Sequence, residues 1–69
     1  MNLRNLLLSK KSTPLEIAKN LHVSKVKVDE WCNGIGCPNA RQAILLSKAL
    51  GCDVKDVYLA ILNTPYQNP

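Results

Sequence analysis

Apolar residues recur along this chain at helical rather than strand spacing, and polar capping residues cut the pattern into five short segments. Leu3, Leu6 and Leu7 form the first stripe, with Arg4 outside it, and Lys10-Lys11-Ser12 ends the segment. Thr13, Pro14 and Glu16 read as N-cap, first helical residue and capping-box partner of a second helix over 14–21, which turns Ile17, Ala18 and Leu21 inward. Leu21-His22-Val23 interrupts the period. Ser24 then caps a third helix over 25–32 that buries Val28, Trp31 and Cys32 and stops at Asn33-Gly34. Gly34, Gly36 and Pro38 mark a loop, after which Asn39 caps a fourth helix predicted to bury Ala40, Ala43, Ile44, Ser47 and Leu50 and to close at Gly51. Asp53 and Asp56 open a fifth helix in capping-box style, with Val54, Val57 and Ile61 inward. Tyr58, Leu59 and Leu62 then make a second apolar face that the rest of the chain does not cover. The pattern predicts an all-α domain over residues 1–62 and a short C-terminal tail over 63–69.

The turn between the second and third helices is too tight for anything but a steep crossing, so Thr13 to Gly34 reads as a helix-turn-helix. The segment resembles the helix-turn-helix of the lambda-repressor and Cro family in Thr13, Ile17, Ala18, Leu21, Val23 and Ser24. The likeness extends through Trp31, Asn33-Gly34, Pro38 and Ser47 to Gly51, covering roughly residues 3 to 62. It implies a compact five-helix, lambda-repressor-like DNA-binding domain with its motif formed by helices 2 and 3. Two positions depart from the family pattern. Pro14 stands where a Gln often touches a phosphate, and His22 stands where Gly is usual, so His22 is expected in the left-handed region at some cost.

Length and charge narrow the reading. A chain of 69 residues is one domain that buries only about 60% of its unfolded surface, so the core must be lean. It has no Phe and one Trp, which makes that core aliphatic, as packed helices allow. A net charge of +4 favours an anionic partner without proving one. Cys32, Cys37 and Cys52 cannot all pair within one chain, and no signal-like stretch opens it, so a reducing cytoplasm is expected. Leu6-Leu7-Leu8 falls far short of the ~20 apolar residues of a membrane span. A metal is not expected, because Cys32, Cys37 and His22 lack the paired spacing of zinc ligands. With one His, no Gly-rich phosphate loop and little room for a pocket, neither an enzyme, a cofactor nor a small-molecule ligand is expected.

The candidate chemistry lies on the third helix. Eight residues span ~12 Å, which matches the ~12 Å major groove of B-DNA. Lys25 can donate to guanine, Val26 can pack on a thymine methyl, and Glu30 can accept from cytosine. The plain alternative is a solvated face, with Glu30 pairing Lys27 three residues before it. The resemblance implies base reading at Lys25, Val26 and Glu30, and phosphate contact at Ser24, Lys27 and Asn33. Asn39 and Arg41 set a helix N-terminus and a guanidinium beside the motif, an arrangement suited to a phosphate. The function expected is a sequence-specific binder of a double-stranded DNA operator, working as a homodimer through Tyr58, Leu59 and Leu62. The rivals are an antitoxin or mobile-element accessory DNA binder, and a protein-interaction module that no longer binds DNA.

Overall fold

The structure, a computed structural model, describes residues 1–65. Among them are five helices: α1 (Leu3–Ser9), α2 (Pro14–Leu21), α3 (Lys25–Cys32), α4 (Ala40–Leu50) and α5 (Val54–Leu62), with no strand. Each inward stripe joins one core. Leu3, Ile17, Val28, Leu46 and Val57, one from each helix, are the largest fully buried side chains. Around them close Leu6, Leu7, Ala18, Leu21, Trp31, Cys32, Ala43, Leu50 and Ala60. α2 packs on both α3 and α4, α4 on α5, and α5 on α1, so the first and last helices close the bundle. Trp31 is only 3% exposed and anchors α3 from inside.

Four of the helices stop by one device. A residue with positive φ follows the last turn, and the next N–H reaches back five residues to a carbonyl. Lys11 (φ 56°) precedes the Ser12 to Leu7 bond, and His22 (φ 58°) precedes the Val23 to Ala18 bond. Gly34 (φ 77°) precedes Ile35 to Glu30, and Gly51 (φ 70°) precedes Cys52 to Ser47. His22 therefore takes the left-handed conformation expected of it. Lys11 does the same without any sequence signal, since lysine is not a residue that favours this region.

Several details differ from the sequence reading. Ala40 and Ile44, expected inward, are exposed, and the buried stripe of α4 is Ala43, Leu46, Ser47 and Leu50. Ile44, Leu45 and Leu46 are all apolar, so periodicity allowed more than one stripe. The position of α2 and α5 against α4 selects Leu46, at 1% exposure, over Ile44, at 46%. On α5 the buried pair is Val57 and Ala60, with Val54 and Ile61 half-buried at the margin. Asp53 has the extended backbone of an N-cap, yet its carboxylate makes no capping bond. The complete capping box is at α4, where Asn39 and Gln42 exchange both bonds, at 2.8 and 2.9 Å. Thr64, read as tail, is hydrogen-bonded into the domain: its hydroxyl accepts from the Leu3 N–H at 2.8 Å and donates to the Ala60 carbonyl at 2.6 Å.

Candidate nucleic-acid interface

The third helix is held so that its first turn projects from the molecule. Ser24 has an extended backbone and its hydroxyl accepts from the Lys27 N–H at 3.2 Å, which starts the helix cleanly. The left-handed turn at His22 and the half-buried Val23 fix the direction in which α3 leaves α2. Val28, Trp31 and Cys32 are buried, and with that face pinned Lys25, Val26 and Lys27 are exposed. Val26, at 67% exposure, makes no contribution to the core, so packing does not account for an apolar residue there.

The polar groups are less uniform than the sequence suggested. Lys25 Nζ lies 2.8 Å from Asp29 Oδ2, one turn along the same helix. The pair is exposed and contributes at most about 1 kcal/mol, so a stronger acceptor can draw the ammonium away. Glu30 is half-buried one turn beyond Val26 and forms no ion pair with Lys27. Asn33, at the end of α3, is half-buried, and its Oδ1 accepts from an Arg4 guanidinium N–H at 3.0 Å. At the start of α4, Asn39 spends its side-chain oxygen on the Gln42 N–H, while Arg41 extends into solvent. Lys25 to Asp29 is the one salt bridge among the described residues, so Arg4, Lys27 and Arg41 each keep an unneutralised cation.

Ser24, Lys25, Val26 and Lys27 thus share one exposed turn, Glu30 and Asn33 stand further along α3, and Asn39 and Arg41 open the next helix. Sequence reasoning left Arg4 outside the first apolar stripe and did not connect it to Asn33. A contact spanning 29 residues has no local signature, so only the packing of α1 on α3 reveals it. Tyr58, Leu59 and Leu62 lie together on the outer side of α5, exposed at 43%, 46% and 80%. Leu59 also lines a groove between α1 and α5 with Met1, Leu6 and Cys52.

No group of three or more His, Cys, Asp or Glu among the described residues could hold a metal ion, and all three cysteines are free thiols. Burial pushes the Cys32 thiol up from its ordinary range, partly offset by the nearby Arg4 charge and reinforced by Asp29. Cys52 is also raised, first by burial and then by Asp56, against a lowering from Lys10. No helix among the described residues is long and apolar enough to cross a membrane.

A capped helix, a left-handed turn and a second capped helix with its first turn exposed define a helix-turn-helix protein. The chain belongs to the helix-turn-helix family of the lambda-repressor and Cro type, whose family model, Helix-turn-helix, matches residues 3–57. It is accordingly a DNA-binding helix-turn-helix regulator, of a family that is typically non-enzymatic. The match ends before Tyr58, Leu59 and Leu62. No curated protein and no solved structure matches the chain significantly.

Proposed function

We propose that this protein is a Cro- or repressor-like transcriptional regulator that occupies a DNA operator as a homodimer, in the cytoplasm of a bacterium or a phage-infected host. The observation that carries the reading is the exposed first turn of α3, where Lys25, Val26 and Lys27 project while Val28, Trp31 and Cys32 hold the helix from behind. Set into the major groove, Lys25 donates to guanine, Val26 meets a thymine methyl and Glu30 accepts from cytosine. A base acceptor can take Lys25 from Asp29 at little cost, because the ion pair is exposed and weak. Ser24, Lys27, Asn33, Asn39 and Arg41 bind the phosphates on either side and set the register.

A domain this small acts by occupying the site and excluding polymerase or a rival regulator. One motif reads too few base pairs to choose a site in a genome, and a two-fold dimer with recognition helices ~34 Å apart doubles the readout. The exposed Tyr58, Leu59 and Leu62 supply the face for that dimer.

Selection of bound duplexes from a random pool tests the reading directly. The expected result is a two-fold symmetric site. Binding should weaken with salt, with log K against log salt sloping near −7 if a dimer covers about eight phosphates. Absence of duplex binding even at low salt would end this reading and favour a domain whose apolar surfaces bind protein instead.

A further inference from the structure

The contact between Arg4 and Asn33 joins the first turn of α1 to the residue that caps the C-terminal end of α3. Three observations about Arg4 ask for an explanation. Arg4 stands in the first turn of α1, which holds no acidic residue to pair with it, and its guanidinium reaches across to the C-terminal end of α3, where the helix dipole favours a cation. It has no carboxylate partner among the described residues, although Asp29 lies close enough to the same end of α3 to act on Cys32. The side chain is exposed yet directed, held by the Asn33 side-chain Oδ1 rather than free in solvent. An arginine kept charged, exposed and oriented at the edge of a DNA-facing helix is suited to a phosphate, because one N–H donor serves Asn33 and four remain.

We propose that Arg4 is a phosphate-binding residue at the far end of the recognition helix, and that Asn33 is its positioning residue rather than itself the principal phosphate contact. The inference rests on the DNA-binding reading above and changes the division of labour within it. The Asn33 amide carries no charge, and its oxygen is already engaged at 3.0 Å. Arg4 brings a full charge across from another helix, so the interface spans α1, α3 and α4. Fixing the guanidinium before DNA arrives removes part of the ordering cost of the contact.

The test is fluorescence-anisotropy titration of the full chain against two duplexes, the site recovered by selection and a mixed-sequence control, over a range of salt. Arg4→Ala and Arg4→Gln should each weaken both duplexes about tenfold and make the salt slope shallower by about 0.9 per protomer, since one phosphate contact is lost. Arg4→Lys, which keeps the charge, should retain the slope while losing part of the affinity. Asn33→Ala should weaken binding in the wild-type background but add nothing once Arg4 is Ala, because it acts through Arg4. Circular dichroism melts report whether each variant is folded, and Arg4→Gln, which keeps a polar side chain of moderate length without the charge, guards against a loss of fold in Arg4→Ala. A lowered melting temperature with an unchanged salt slope in folded Arg4→Gln would show a structural tie only and overturn the proposal. Additive losses for Arg4→Ala and Asn33→Ala would overturn the positioning role. Failure of the wild type to bind either duplex would instead overturn the DNA-binding reading, and this inference with it.

Discussion

His22 and Lys11 are the two described residues other than glycine with positive φ, and each closes a helix that glycine would close without strain. Replacing His22 by Gly should raise stability by ~0.5–1 kcal/mol, because relief of backbone strain exceeds the entropy that Gly returns to the unfolded chain. For a domain of this size that is about 2–8 °C in Tm, readable in a thermal melt. Lys11→Gly should act in the same direction; a fall in Tm for either would mean that the side chain makes a stabilising contact. The thiols differ for a related reason, that position sets chemistry. Cys37 is exposed and Cys32 is buried. Cys32 holds its proton to higher pH when folded than when unfolded, so its contribution to stability is complete below the ordinary thiol value of 9.0 and is lost above it. A thiol reagent should modify Cys37 in the native protein and Cys32 only on unfolding, and comparable rates at the two sites would contradict the burial.

At the level of α3, the proposed roles divide by position along the helix. Lys25→Ala and Val26→Ala should change which sequences are bound, at ~1–3 kcal/mol for each base lost, whereas Lys27→Ala and Arg41→Ala should weaken all sequences alike. Equal losses on the selected and mixed duplexes for Lys25→Ala would remove it from the base readers. The fourth helix offers a separate check on local structure. Asn39 and Gln42 satisfy each other's backbone donors, so Asn39→Ala should cost ~1 kcal/mol in a denaturant titration. The same substitution at Asp53 should cost much less, since its carboxylate makes no capping bond.

The whole molecule raises the question of what covers its outer apolar surface. Val57 and Ala60 seal α5 onto the core, while Tyr58, Leu59 and Leu62 face out, with Met1 and Leu59 on the neighbouring groove. A tail folded back through Pro65 and Tyr66 is the competing cover; Pro65 is exposed, and Tyr66 lies outside the described residues. If α5 joins two protomers, Leu59→Asp should split the dimer in sedimentation measurements and leave helix content intact. A wild type that sediments as a monomer at high concentration and binds a half-site as tightly as a palindrome would rule the dimer out. Trp31→Ala should be far more damaging, at ~3–5 kcal/mol, because it opens a cavity behind α3.

The five helices and the motif were legible along the chain, because they depend on caps, turn residues and spacing within a few positions of one another. Thr13, Ser24, Asn39 and Gly51 each act where the local pattern puts them. The left-handed His22 was legible only through the resemblance, since it stands where the family usually has Gly. The site's outward turn followed from the inward stripe of Val28, Trp31 and Cys32, which leaves Lys25, Val26 and Lys27 one direction to face. The packed bundle chose between Ile44 and Leu46, since a run of three apolar residues presents several stripes and the neighbouring helices select one. It alone tied Thr64 to Leu3 and Arg4 to Asn33, contacts that span 61 and 29 residues. Hydrogen bonds over such separations carry no periodicity in sequence; they exist because a shared core brings the first helix against the third and the fifth.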